Sequence, residues 1–264
     1  MNKEKIKIGI IGGSGLDDPK LLKDFEELAF ETPFGSPSAK IVTGQLEGRK
    51  VAILARHGKD HSIMPTKVPY RANLWALKEA GCSHILATTA CGSLRQEIKP
   101  GDLVFLDQFI DNTKHRALTF FEDKVIHTPM AEPFCLQLRK ILIQSAKDLN
   151  LSFQQKGTMI TIEGPRFSTK AESKMFQSWG ADVVNMSTVP EVILARELGI
   201  CYQSIAMATD YDCWKEGEEP VTWEMVMARM NQNADNVKKL LLAAIPKIDF
   251  YDCSCRGEIT EVKI

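Results

Sequence analysis

Ile200 to Thr209 reads I-C-Y-Q-S-I-A-M-A-T, too continuously apolar for a strand with one wet face. Strands covered on both faces read this way, so the run predicts a buried strand of an α/β sheet. It continues as Ala208-Thr-Asp-Tyr-Asp-Cys-Trp214, which sets Asp210 and Asp212 at the carboxyl end of that strand. Ligands of open α/β sheets bind at carboxyl ends. Two carboxylates there accept hydrogen bonds from a donor-bearing ligand, or share a proton with it. Read alone, the pair fits helix capping or a surface turn equally, the commoner fate of aspartate after a strand.

The rest of the chain supports the same fold class. Strand patterns recur at Ile6 to Gly13, Lys40 to Leu46, Lys50 to Gly58, His84 to Ala90, Asp102 to Ile110, Gly157 to Glu163 and Asp182 to Met186, with helical patterns between several of them. The turn Leu46-Glu-Gly-Arg-Lys50 is short enough for a hairpin, so the sheet is expected to be mixed. Thr169 with Glu172 forms a capping box for one helix, with Gly180 as its stop. Pro133 opens a second helix, with Leu136, Leu138, Ile141, Leu142 and Ala146 on one stripe to about Leu149. A third starts near Thr222 and runs through Val226, Met230, Val237, Leu241 and Ile245 until Pro246. With 264 residues and no linker, repeat or low-complexity run, the chain reads as a single α/β domain, residues 1–264. The expected architecture is a central mixed β-sheet flanked by helices, with 246–264 as a C-terminal tail.

A formal charge of −1 leaves no electrostatic footprint for nucleic acid or an anionic membrane, so the expected partner is a small molecule. The N-terminus carries no apolar core of signal-peptide length, and no run reaches membrane-spanning length, so a cytoplasmic location is expected. Cys82, Cys91, Cys135, Cys201 and Cys213 lie scattered in strand-like or helix-edge contexts, which reads as reduced, buried packing. Cys253-Ser-Cys255 differs, but it has neither the two-residue spacer nor the partner ligands of a zinc site. No metal is expected there, and a local redox pair or two thiols on a frayed tail stay open.

Other strand ends carry candidate ligands. Gly12-Gly13-Ser14-Gly15 lets a ligand approach the backbone, but Asp18 stands where a dinucleotide fingerprint requires its third glycine. A phosphate cradle of main-chain N–H groups and the Ser14 hydroxyl survives that objection. In Ala55-Arg56-His57-Gly58, arginine supplies a planar fork for an oxyanion and histidine a second donor. Either alone is more often a surface ion pair. His61 would pair with His57 at a metal only on a helix, and Gly58 and Pro65 bracket a loop instead. Thr88-Thr89-Ala90-Cys91-Gly92-Ser93 and Asn185-Met186-Ser187-Thr188 bring hydroxyls to two more strand ends. Four ends with hydroxyl or cationic groups and a fifth with two acids suit a ligand that has an anion at one end and a donor-bearing heterocycle at the other.

The segments I-G-I-I-G-G-S-G-L-D-D, A-R-H-G, T-T-A-C-G-S-L-R, T-I-E-G-P-R-F-S, N-M-S-T-V-P-E and A-T-D-Y-D-C-W closely resemble the 5′-methylthioadenosine phosphorylases of the trimeric purine nucleoside phosphorylase family, from about Ile6 to about Ile245. The resemblance implies phosphate-dependent cleavage of 5′-methylthioadenosine to adenine and 5-methylthioribose 1-phosphate, a reaction of purine and methionine salvage. It implies that Ser14, Arg56, His57, Thr89 and Ser187 hold inorganic phosphate, the co-substrate, with no metal or organic cofactor. The family often has threonine at the first and last of these positions. By the same resemblance Ala90 and Met186 line the ribose, Phe167 packs on the purine face, and Ser168, Asp210 and Asp212 address its edge. Trp223 and Val226 fall among the substrate-binding residues. His127 would reach the 5′-thioether pocket of a neighbouring subunit in a homotrimer.

The chemistry is one these residues support. Breaking an N-glycosidic bond leaves an electron pair on the purine and oxocarbenium character on the ribose, so protonating the base and holding an anion beneath C1′ both lower the barrier. Asp210 is the expected acid towards N7, its pKa raised by burial and by Asp212. Adenine's N6 hydrogens suit carboxylates, whereas O6 of hypoxanthine or guanine would face a second acceptor. Trp223 stands where the family commonly has a smaller apolar residue, so it either narrows the 5′ pocket or packs inward or at an interface. The tail is shorter than in animal-like members and its Cys-Ser-Cys is reminiscent of archaeal ones. A broader purine nucleoside phosphorylase acting on adenosine, inosine or guanosine is the competing enzyme. A purine-binding regulator without turnover is the competing non-enzyme.

Overall fold

A computed structural model describes residues 6–12, 22–217, 222–256 and 260–261. In chain order the strands are β1 (Lys7–Gly12), β2 (Lys23–Leu28), β3 (Ile41–Leu46), β4 (Arg49–Ala55), β5 (His84–Ser93), β6 (Leu103–Phe105), β7 (Gln108–Asn112), β8 (Ile126–His127), β9 (Phe153–Gln154), β10 (Thr158–Ile162), β11 (Val183–Asn185), β12 (Cys201–Asp210) and β13 (Thr260–Glu261). The helices are α1 (Tyr70–Glu79), α2 (Leu136–Asp148), α3 (Lys170–Ser178), α4 (Thr188–Glu197) and α5 (Trp223–Ala244).

Eleven strands form one mixed sheet, ordered β2-β3-β4-β1-β5-β11-β10-β7, with β12 joined to β5 and carrying β6 and then β9. Its centre is the parallel pair β5–β12, in register from Cys201↔His84 to Ala208↔Cys91 and offset between Ala208 and Asp210. The apolar run that predicts β12 is buried on both faces for the reason its composition suggests. Tyr202, Ala206 and Ala208 enter one core with Leu74 and Leu77 of α1 and Val192, Leu194 and Ala195 of α4. Cys201, Ile205 and Met207 enter the other with Leu138 and Leu142 of α2 and Val237 and Leu241 of α5. The period-two alternation of a strand thus feeds two helical layers, and each fully buried large apolar side chain contributes roughly 1.5–3 kcal/mol.

Local signals explain several boundaries. β3 and β4 pair antiparallel from Val42↔Ile53 to Leu46↔Arg49. Glu47 and Gly48 turn between them with φ of 47° and 74°, the backbone of a two-residue primed turn. Thr169 Oγ1 accepts from the Glu172 backbone N–H at 3.1 Å, and Glu172 Oε2 accepts from the Thr169 N–H at 2.8 Å, completing the capping box of α3. Thr222 caps α5 through the Met225 N–H at 3.3 Å.

Three expectations need correction. The strand expected over Asp102 to Ile110 is two, β6 and β7. Between them Asp107 turns its carboxylate to the Gly157 N–H at 3.0 Å and to Arg139 at 3.1 Å, where the chain leaves β12 to pair with β10. The second helix begins at Leu136 rather than Pro133, because Cys135 is extended, with ψ of 109°, and its N–H goes to the Tyr202 carbonyl at 2.8 Å. The tail cysteines are neither frayed through Cys255 nor short of partners. Cys255 is buried, and its sulfur lies with those of Cys135, Cys201 and Cys253, all four within 4.8 Å of one another. Among the described residues, no helix is long and apolar enough to cross a membrane.

Candidate active site

The carboxyl ends of β4, β5, β10, β11 and β12 open onto one cavity of about 400 Å³, closed on one side by the start of α5. Arg56, His57, Thr89 and Ser187 line it from the side expected to hold the anion, and Phe167, Ser168, Asp210 and Asp212 from the side expected to hold the base. Ala90, Met186, Trp223 and Val226 also line it. Ser14 lies outside the described residues. His127 is exposed on β8, where it pairs with Thr260, and does not line this chain's cavity.

The anion side is built on a buried ion pair. Arg56, 3% exposed, donates from Nε and Nη2 to the two carboxylate oxygens of Glu191 at 2.8 Å each, and from Nη1 to the Thr88 carbonyl at 2.8 Å. Tyr202 donates its hydroxyl to Glu191 Oε1 at 2.7 Å. Burial by itself would lower the Arg56 pKa, but the field of Glu191 and its hydrogen bonds hold it above the ordinary value. Three of five N–H groups are used, which leaves one on each terminal nitrogen for a ligand.

His57 behaves differently from the second donor read from sequence. Its Nδ1 lies 2.8 Å from the Ile63 carbonyl, which only accepts, so Nδ1 carries the proton. Burial, then the Arg56 charge, lowers its pKa to about 4, against the opposing pull of the Ile63 carbonyl. The neutral ring therefore presents an Nε2 acceptor, suited to the P–OH of a protonated phosphate. It donates from Nε2 only when a bound anion restores its second proton. Next to it, Thr89 Oγ1 and Ser187 Oγ are 2.9 Å apart. Asn185 Nδ2 donates to Thr89 Oγ1 at 3.1 Å and to Thr188 Oγ1 at 2.7 Å, while its Oδ1 accepts from Thr161 at 2.9 Å. This web fixes two hydroxyls whose protons rotate towards an anion.

The acid side is less fully paired. Asp210 Oδ2 accepts from Thr209 Oγ1 at 2.6 Å and Oδ1 from the Asp212 N–H at 2.7 Å. Burial raises the Asp210 pKa, and the Asp212 charge adds to it, against those two hydrogen bonds. Burial likewise raises the Asp212 pKa. Trp214 Nε1 donates to the Ser93 carbonyl at 2.7 Å and holds the following turn against β5. Gly92 permits the arrangement, since a Cβ there would sit 3.0 Å from Asp210 Oδ1 and 3.2 Å from both Asp212 Cβ and Val184 Cγ1.

The sequence profile of the phosphorylase superfamily matches residues 7–246. S-methyl-5′-thioadenosine phosphorylases of Xenopus tropicalis and Danio rerio are 58% and 56% identical to the chain, covering 94% and 92% of it and 90% and 89% of their own lengths. The methylthioadenosine phosphorylase of Schistosoma mansoni, solved with adenine, superposes with a TM-score of 0.89 at 46% identity over 92% of each chain. A single-substitution mutant of the Schistosoma adenosine/methylthioadenosine phosphorylase, solved with methylthioadenosine, superposes at 0.87 and 45%, covering 92% of this chain and 91% of that one.

The chain belongs to the methylthioadenosine phosphorylase family.

The mixed sheet flanked by helices is the fold of these phosphorylases. Two parts of the site escape a reading of single motifs. Glu191 and Tyr202 never touch the ligand space by motif, yet they set the charge and direction of Arg56. Glu191 ends the segment N-M-S-T-V-P-E and Tyr202 lies in the apolar run of β12, but neither segment by itself shows that the two meet at Arg56. Trp223 is the first residue of α5 and half-exposed, lines the cavity, and lies 5.4 Å from the His61 ring, which itself stacks on His57 at 4.6 Å. Trp223 thus faces the cavity within this chain while about half of it stays exposed.

Proposed function

We propose that this chain catalyses the phosphorolysis of 5′-methylthioadenosine to adenine and 5-methylthioribose 1-phosphate. The observation that carries the reading is one cavity with a fixed cation and hydroxyl web at one end and two acids of raised pKa at the other. In the proposed reaction, phosphate sits against Arg56, Thr89 and Ser187, with His57 exchanging a proton with it. Its negative charge stabilises the oxocarbenium character at C1′. The C1′–N9 bond breaks as the C1′–O bond to phosphate forms. The electron pair left on the base is taken by the Asp210 proton at N7. The second carboxyl oxygen of Asp210 and the Asp212 carboxylate accept from the N6 amino group, which discriminates against a 6-oxopurine. Phe167, 42% exposed at the mouth, covers the purine face, and Ala90, Met186 and Val226 line the sugar and its 5′ substituent.

We also infer a cytoplasmic homotrimer in which His127 completes a neighbour's 5′ pocket and turnover uses no metal or organic cofactor. Its exposure on a two-stranded β8–β13 ribbon leaves His127 available to a neighbour. The reading is tested by adenine release from methylthioadenosine with and without phosphate, beside the rates for adenosine and inosine. Phosphate-dependent release, fastest for methylthioadenosine, is expected; no release would end the reading. Light scattering should give three chains per particle.

A further inference from the structure

At the other end of β12 from the two acids lies a cluster that the reaction does not use. Cys135 caps α2, Cys201 opens β12, and Cys253 and Cys255 come from the tail, around a 3₁₀ turn at Ser254–Arg256. Their four sulfurs lie within 4.8 Å of one another, with Cys135 Sγ and Cys253 Sγ 3.7 Å apart. All four are free thiols. A tetrahedral zinc site with Zn–S bonds of ~2.3 Å places its sulfurs ~3.8 Å from each other. The spacing accommodates a thiolate cage, drawn from three separate segments already held by the fold.

We propose that Cys135, Cys201, Cys253 and Cys255 bind one zinc ion in a closed four-thiolate site that fastens the C-terminal tail to the amino end of β12. The donor chemistry selects the ion: four soft sulfurs suit zinc and leave nothing for hard cations such as magnesium or calcium. Each thiol gives up its proton on binding, which replaces weak S–H···S contacts by metal bonds. Cys135, Cys201 and Cys255 are buried and Cys253 is partly exposed, so the cage is shielded and still reachable from solvent. Arg256, next to Cys255 in the chain, donates to the Ser83 carbonyl at 2.8 Å and lies over the Tyr251 ring, which helps tie the tail to the fold. With four protein ligands there is no open position, and the ten residues of β12 put the cage roughly 30 Å from the acids. The site is structural.

The test uses the full chain purified under reductant without chelator. Elemental analysis should find one zinc per chain. Protein stripped and reloaded with cobalt should show thiolate-to-cobalt charge transfer in the near ultraviolet and the intense visible bands of a tetrahedral ion. The tail variant Cys253→Ser/Cys255→Ser removes two ligands without touching either core segment, and its zinc content should fall about tenfold or more. Hydrogen exchange of residues 249–256 should rise on stripping and fall again on adding zinc chloride. Three results overturn the proposal: stripped wild type that fails to retain stoichiometric zinc after reloading and desalting, a tail variant that retains wild-type zinc, or a disulfide among the four cysteines in protein kept under reductant.

Discussion

The two ends of the cavity are built on opposite electrostatic principles. At the phosphate end, the Arg56 charge is locked by Glu191, Tyr202 and the Thr88 carbonyl, so it does not vary with pH in the neutral range. At the purine end, burial pushes both acids towards holding a proton, opposed at Asp210 by the short bonds from Thr209 and the Asp212 N–H. One end must offer constant positive charge to an anion, while the other must part with a proton and regain it. The lesson is that burial serves both ends, and that the presence or absence of a countercharge decides which result it gives.

The sharpest break of this contrast is Asp210→Asn. It keeps the shape of the purine end but removes the proton to be transferred, and the amide puts an NH2 donor in place of one of the two oxygens. The expected loss in kcat for methylthioadenosine is about 10²–10⁴, with a relative gain for inosine over adenosine. Steady-state rates on the three nucleosides check it, and an unchanged base preference would remove Asp210 from the acid role.

Next in size is Glu191→Ala, which strips the countercharge from a buried guanidinium. Leaving that charge alone is expected to cost about 3–5 kcal/mol, read from urea denaturation, together with weaker saturation by phosphate. Arg56→Met in the same background should recover much of the stability and none of the activity. If the double variant is no more stable than Glu191→Ala, the two side chains are not a coupled pair.

The ends also differ in their effect on stability against pH. The His57 pKa falls from 6.5 unfolded to about 4 folded, so the unfolded chain takes up that proton first. Its contribution is full above pH 6.5 and is lost as pH falls towards 4, by at most about 3 kcal/mol. Asp210 and Asp212 have folded pKa values above the ordinary 3.8. Their contribution is full below 3.8 and is lost as pH rises through the folded values. Urea midpoints between about pH 7 and 5 should therefore fall in the wild type and fall less in His57→Gln. Saturating phosphate should flatten the wild-type slope, because the bound anion favours the imidazolium. Parallel slopes in the two proteins would show that His57 is not the group responsible.

What was legible in the sequence follows the range of the interactions involved. β12, the Glu47-Gly48 hairpin and the Thr169–Glu172 box are written in neighbouring residues, and each stands where its pattern puts it. β2, Lys-Asp-Phe-Glu-Glu-Leu, reads as polar surface because it is an exposed strand at the sheet edge, recognisable only by its pairing with β3. α4 shows no amphipathic stripe, because eight of its ten residues are buried on several sides. The site divides the same way. Strand-end hydroxyls and acids are visible locally, whereas the Arg56–Glu191 pair and the four-cysteine cluster join residues far apart in the chain, and only topology brings them together.

The smallest expected effect falls on the strand that separates the two ends. Gly92→Ala adds a methyl 3.0 Å from Asp210 Oδ1 and 3.2 Å from Val184 Cγ1, on β5 where it pairs with Asp210 of β12 and Val184 of β11. Neither neighbour is the loose end of a long side chain, so the strain should cost about 1–3 kcal/mol in stability and turn the Asp210 carboxyl away from its bond to the Asp212 N–H. Loss of that bond to the charged form raises the Asp210 pKa further. The pH at which kcat falls on the alkaline side should therefore move upward, while phosphate saturation at the far end stays as in the wild type. A drop in phosphate affinity of the same size as the drop in kcat would mean that the two ends are mechanically one unit, and the contrast between a fixed and a titrating end would fail with it.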